Sequence, residues 1–286
     1  MSPRVLSTLL MAAILAWTGQ ASAVPFFFST GDVDGKIATA SRPESSGKIE
    51  IESADDFIVS GGTLKLNSAT FQGLLPTGSS LSSVGTVRVE IYRVFPQDSM
   101  NPPSGNVPTR VNSPSDVAFD SRESGGGGLT FTPGIVASSF TAANSVLNGI
   151  NKIPNQTTGG EGPVTGQKVQ FNVLFSTPIT LPADHYFFVP QVELASGDFL
   201  WLSSVRPIVL PGTPFAPDLQ SWIRNADLDP DWLRIGTDIV GGTTFNAAFT
   251  LDGDLSPVPE PATLLLFGTT MTGLGFIARR RRRRQN

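Results

Sequence analysis

Apolar residues in the long middle of this chain alternate with polar ones in short runs, and that period of two constrains the fold more than any other feature. Successive side chains of a strand point to opposite faces, so a run that alternates over four to eight residues is a half-buried strand. In KVQFNVLF, Val169, Phe171, Val173 and Phe175 share one face while Lys168, Gln170 and Asn172 take the other. The same period places Ile49 and Ile51 inward in KIEIE, sets Val87, Val89 and Ile91 against Arg88 and Glu90, and returns in Phe245, Ala247, Phe249 and Leu251. Further strands are predicted at 56–59, 63–71, 117–121, 129–131, 185–192, 199–203 and 233–240, with Gly and Pro between them. About ten short strands with few helical patterns predict an all-β fold, an antiparallel β-sandwich of jelly-roll type over residues 24–256. One short helix is expected in TAANSVLNGI near Asn144. Long loops fall at 96–115, which carries five prolines, and at 153–166, and loops of a sandwich are where binding usually sits.

Both ends of the chain read as addresses. Arg4, an apolar stretch at 5–17 and the small-residue pattern Ala21-Ser22-Ala23 form a secretory signal peptide over residues 1–23, so the mature chain is expected to begin at Val24. The secretion translocon and signal peptidase are the implied partners. At the other end, Pro259-Glu260-Pro261 precedes an uncharged apolar run at 262–278 and a block of six arginines, Arg279, Arg280, Arg281, Arg282, Arg283 and Arg284. Seventeen residues of helix rise roughly 25 Å against a hydrocarbon core of about 30 Å, so the run spans a bilayer with some local thinning. The arginines hold that end on the cytoplasmic side, which leaves everything before Pro259 outside. Two prolines around Glu260 keep the backbone extended, in the form a protease groove accepts.

With VPEP, the apolar span and the arginine cluster in this order, residues 257–286 resemble the PEP-CTERM sorting signal of exported bacterial proteins. The resemblance implies recognition by an exosortase, a membrane-embedded transpeptidase-like cysteine protease. It also implies transient anchoring in the inner membrane, then delivery to the cell surface or the extracellular matrix of a bacterium that makes exopolysaccharide. The segments ADDF, VEIYRVFP and NADLDPDW resemble other exported ectodomains that accompany this tail, and that likeness carries no activity with it.

Between the two addresses, residues 24–256 hold thirteen basic and twenty-three acidic side chains. A surface about ten charges negative gains nothing from counterion release, so nucleic acid and anionic lipid are disfavoured as partners. No cysteine is present, which removes thiol catalysis, cysteine-ligated zinc and disulfide bracing together.

The remaining constellations are weighed on their chemistry. His185 is the only histidine, and alternation in HYFFV places it with Phe187 and Val189, as a packed residue and not a general base; no G-x-S-x-G elbow accompanies it. Carboxylates at Asp55, Asp56, Glu90 and Glu193 are candidates for a glycoside-cleaving pair, which requires two of them about 5–10 Å apart. Asp227, Asp229 and Asp231 follow the one, three, five spacing of a calcium loop with Asp238 at the twelfth place, but Trp232 stands where an EF-hand needs Gly. Calcium is the one cofactor these residues point to. Trp201, Trp222 and Trp232 fall close together and are candidates for stacking on sugar rings. GGGG at 125–128 lacks the lysine of a phosphate loop and reads as a turn. The sequence therefore predicts an exported structural or adhesive protein associated with extracellular polysaccharide and not an enzyme, with no catalytic residue assigned. The alternative is a secreted carbohydrate-active hydrolase using a carboxylate pair.

Overall fold

The structure, a computed structural model, describes residues 22–94, 105–150, 157–206, 218–242 and 244–257. Residues 1–21 and 258–286 lie outside them, and with them most of the signal peptide, the Pro259-Glu260-Pro261 motif, the apolar run and the arginine cluster. Val24–Leu255 forms one compact unit. Among the described residues no helix is long and apolar enough to cross a membrane.

The compact unit is built of strands: β1 (Val24–Ser29), β2 (Val33–Ala40), β3 (Ile51–Val59), β4 (Gly62–Pro76), β5 (Val84–Arg93), β6 (Asp120–Glu123), β7 (Leu129–Ala142), β8 (Asn144–Val146), β9 (Val164–Leu181), β10 (Asp184–Leu194), β11 (Leu200–Ser204), β12 (Trp222–Asn225), β13 (Leu233–Arg234) and β14 (Phe249–Pro257). They form an eight-stranded sheet in which β1-β14-β4-β11-β2-β8 run side by side and β9 carries β7 along the other edge of β4. The second sheet has the order β13-β12-β3-β10-β5-β6. Pairing is antiparallel apart from the short parallel contact of β2 with β8. The predicted antiparallel β-sandwich is the fold observed.

Alternation explains the core. Val169, Phe171, Val173 and Phe175 of β9 are all buried and face Val87, Val89 and Ile91 of β5 and Tyr186 and Phe188 of β10 in one cluster between the sheets. Phe71 stands opposite Phe171 in the β4–β9 register, and their rings stack with centroids 5.1 Å apart. Phe199 meets both edge-on, 5.8 and 5.5 Å from them. This cluster leaves no room beside β4: a Cβ at Gly73 would lie 2.3 Å from the Phe199 ring and 2.6 Å from the Leu200 carbonyl. Gly73→Ala is therefore expected to cost about 1–3 kcal/mol by overpacking, read as a lower denaturation midpoint at unchanged m-value. An unchanged midpoint would show that the ring moves aside freely.

Four local expectations differ from what the chain does. Ile49 is exposed, not inward, because a bridge between Ser45 and Lys48, with Gly47 at φ 77°, delays the strand until Ile51. Val117 is 77% exposed, and regular pairing with β5 starts only at Asp120. The strand predicted at 233–240 lasts two residues, since the Asp238 carboxylate takes the Arg234 backbone N–H at 2.9 Å and the chain curls into a helical turn, Ile235–Val240, closed by Gly241 at φ 94°. The helix expected near Asn144 is the strand β8: the Asn144 side chain bonds the Gly159 carbonyl and the Gly162 N–H, leaving the backbone to pair with β2.

Candidate functional site

The middle of the second sheet, strands β3 and β10, is buried on both faces, and its outer face is where chemistry-bearing residues gather. Alternation puts Glu52, Ala54 and Asp56 of β3 on that side, next to Phe187 and Val189 of β10 and Glu90 and Tyr92 of β5; Leu219, Trp222 and Trp232 cover them. Burying carboxylates there requires partners. The Tyr92 hydroxyl donates to Glu52 at 2.7 Å and lies 3.2 Å from Glu90, whose other oxygen accepts from Ser121 at 2.9 Å. Arg224 donates through Nε to Glu52 and through Nη2 to the Tyr92 oxygen at 2.9 Å. Its guanidinium lies over the Trp232 ring at 4.4 Å and the Tyr92 ring at 5.2 Å, and the two rings meet edge-on. Burial pushes Glu52 from its ordinary 4.5 up to about 7, with Arg224 drawing it back. The Tyr92 hydroxyl is raised as well, by burial and then by the Glu52 charge.

A second guanidinium pins the covering segment. Arg110 is fully buried and donates to Asp231 at 2.6 Å, to Asp116 at 2.6 Å, to the Ser113 hydroxyl at 2.9 Å and to the Pro114 carbonyl at 3.1 Å. This decides the fate of the carboxylates that were read as a calcium loop. Asp231 goes to Arg110, Asp229 to Arg224 at 2.6 Å, and Asp238 to Arg234 at 2.6 Å, while Asp227 is exposed. Three of the four charges that a divalent cation was expected to relieve are met by three separate arginines. Among the described residues no group of three or more His, Asp or Glu converges as a metal site.

Asp55 and Asp56 are successive residues of one strand and point to opposite faces. Asp55 accepts from the Ser221 hydroxyl at 2.7 Å and the Ala247 N–H at 2.9 Å; Asp56 accepts from the Leu219 N–H at 2.9 Å and pairs with His185 Nε2 at 2.6 Å. Burial raises both, Asp55 further because Asp56 lies beside it. His185 stands with Phe187, its ring parallel at 6.5 Å, as alternation predicted. Ser221 bonds Asp55 and the Phe245 carbonyl at 3.1 Å, so the serine and the histidine attend different carboxylates. Of the four carboxylates considered for glycoside cleavage, Glu193 is occupied by the Thr86 N–H at 3.1 Å. The pair that does come together is Glu90 with Glu52, both on the Tyr92 hydroxyl. Glu52 was missed because a strand polar on one face reads as half exposed.

The tryptophans correct the stacking expectation. Trp201, Trp222 and Trp232 are each at most 1% exposed, so none has a ring face open to a sugar. Trp201 packs on Phe188 and Phe249 between the sheets and donates to the Ala248 carbonyl at 3.0 Å; Trp222 and Trp232 fill the outer-face cluster. Of the residues flanking the expected signal cleavage, Ala23 is exposed and Val24 opens β1, paired with Leu255 of β14.

One open pocket, of about 230 Å³, lies elsewhere, at the end of β4 against β7 and β9. Thr77, Ser79, Ser138, Ser139, Thr165 and Gln167 supply its polar lining.

Fold and sites together define an antiparallel β-sandwich whose conspicuous acidic residues are engaged in internal contacts. The particular signature is in the tail: residues 257–283 match the PEP-CTERM protein-sorting motif. The chain thus carries the signal of an exported protein sorted by an exosortase, a membrane protease, and destined for the cell surface. No curated protein matches it. Among solved structures it is similar to the infectious bursal disease virus VP2 subviral particle, at 13% identity over 92% of this chain and 50% of that one, TM-score 0.18. It is also similar to the structure of the infectious bursal disease virus Gx strain, at 11% identity over 84% and 42%, TM-score 0.15. The chain spans about half the length of these viral chains or less.

Proposed function

We propose that this protein is a non-enzymatic component of the cell surface or extracellular matrix, associated with extracellular polysaccharide. Its 262–278 run anchors it transiently in the inner membrane, and an exosortase cuts at Pro259-Glu260-Pro261 to deliver the sandwich. The sorting motif carries this reading: it begins at Pro257, the last residue of β14, so the signal adjoins the domain it exports. A role in bulk structure also suits a domain in which Glu52, Asp55, Asp56, Asp229, Asp231 and Asp238 all hold partners inside the protein.

Processing is tested by the intact mass of the surface-located protein. A mature form lacking Arg279 to Arg284 is expected; a form that keeps them in cells with an active exosortase would overturn the reading. Association is tested by co-sedimentation of the protein with exopolysaccharide from the producing cells.

The second reading, a glycoside hydrolase, draws on one observation: Glu52 and Glu90 share the Tyr92 hydroxyl, and Glu52 is raised to about 7, as a general acid requires. A reducing-sugar release assay on the same polysaccharide separates the two. Release that is lost in Glu52→Gln would favour the enzyme.

A further inference from the structure

The two sheets differ in how their outer strands are protected. An edge strand presents a row of backbone groups to which another chain can add, and natural sheets blunt it by brevity, charge, a bulge or proline. The second sheet ends in β13, two residues long, and in β6, whose Asp120, Arg122 and Glu123 carry charge. In the eight-stranded sheet, β8 lasts three residues. β1 and β7 lack such charges: VPFFFS and LTFTPGIVASSFTA contain no Asp, Glu, Lys or Arg. β7 runs unbroken against β9 from Leu129 to Ile135 before its register first shifts. Among the described residues β1 pairs only with β14, and β7 only with β9. Apolar side chains stand beside both edges, with Phe27 67% exposed and Ile135 and Val136 half exposed. Uncharged runs of high β-propensity are the ones that pair with copies of themselves.

The register shows what guards these edges. In an antiparallel pair, residues alternate between those that turn N–H and C=O toward the partner strand and those that turn them away. Thr30 donates its N–H to the Phe249 carbonyl at 3.1 Å, so Phe28, Phe26 and Val24 face β14 in the same sense, while Phe27 and Pro25 turn away. Ser176 donates to the Gly128 carbonyl at 3.1 Å, so Thr130, Thr132 and Gly134 face β9, while Phe131, Pro133 and Ile135 turn outward. Each edge therefore carries one proline, and its ring stands where an incoming strand needs an N–H. On β7 that proline is the middle residue of the outward-facing three. Its side chain lies opposite Phe171 and is partly buried, so another apolar residue can fill the position.

We propose that Pro133 and Pro25 are gatekeepers of a self-association surface, keeping β7 and β1 from pairing with the edge of a second copy of this chain, so that the exported sandwich stays single. The pairing held in check is β7 with β7 across a two-fold axis, Pro133 opposite Pro133, because β7 offers the longer uncharged edge.

Native mass spectrometry of the full-length chain, released from detergent micelles, reads the effect as a change from wild type. Pro133→Val restores one N–H per copy, two hydrogen bonds in the two-fold pair, and is expected to raise the ratio of dimer to monomer about tenfold. Adding Ile135→Lys is expected to bring the ratio back to the wild-type value, since a charge on the edge blunts it. Melting curves confirm that the variants are folded. Pro25→Val tests β1 in the same way, and it decides the matter if Pro133→Val does not fold. An unchanged ratio in a folded proline variant would overturn the proposal, as would an increase that Ile135→Lys leaves in place. A wild-type dimer dispersed by Ile135→Lys alone would overturn it as well, because the edge would then already be in use.

Discussion

Arg110→Ala is expected to destabilise the protein by about 3–5 kcal/mol, the cost of removing one partner from a buried ion pair. The guanidinium is fully buried and the Asp231 side chain with it, so truncation strands a carboxylate that has no route to solvent. It also frees the Ser113 hydroxyl, the Pro114 carbonyl and Asp116, which together hold the segment covering Tyr92 and Trp232. For a domain of this size a thermal midpoint falls by roughly 2–4 °C per kcal/mol, so the loss is about 6–20 °C. Arg93→Ala is the control, because Arg93 and its partner Asp184 are 44% and 43% exposed. Exposed pairs contribute only about 0–1 kcal/mol. Equal losses in the two variants would show that the Arg110 cluster is hydrated and not a buried brace. The double change Arg110→Met with Asp231→Leu should recover much of the loss, since an apolar pair strands no charge.

The contrast between Arg110 and the strands shows what a single sequence reveals. Period-two alternation located the faces of β5, β9 and β10 and assigned His185 to a packed position, because the information lies within a few residues of each side chain. The one, three, five spacing of Asp227, Asp229 and Asp231 was equally legible, yet its meaning depended on arginines delivered by the fold. Arg110 arrives from 121 residues away. No local pattern announces it, and a loop with several prolines reads as exposed whether or not it folds over a sheet. The same limit hid Glu52: alternation assigns a polar residue to the outer face, but whether a second layer covers that face is settled by segments 105–119 and 218–233. The segments ADDF, VEIY and NADLDPDW, separate in sequence, meet on this one face. Asp56 bonds the Leu219 N–H, Tyr92 bonds Glu52, and Trp232 lies under Arg224. Their shared physical task is to make a polar layer that can be buried.

That layer gives the protein an unusual response to acid. Glu52 keeps its proton up to about pH 7 in the folded state but loses it near its ordinary 4.5 when unfolded, because burial penalises the charge more than Arg224 stabilises it. A carboxyl raised in this way contributes stability that is fully present below the unfolded value and is lost as pH climbs through the folded one. Over that interval of pKa the loss amounts to about 3 kcal/mol, at 1.36 kcal/mol per unit. Asp55 and Asp56 are raised from 3.8 by burial and act in the same direction. The melting temperature is therefore expected to rise by several degrees as pH is lowered from 8 to 5.5, the reverse of a protein whose carboxylates are held ionised by surface pairs. Glu52→Gln should flatten the part of this slope that lies between about pH 5 and 7.5, since the amide does not titrate. Its Oε1 still accepts from Tyr92, so the variant retains one of the two anchoring bonds and is expected to fold. A wild-type midpoint that increases steadily from pH 5.5 to 8 would mean that Glu52 is ionised throughout, held by Arg224 against the cost of burial.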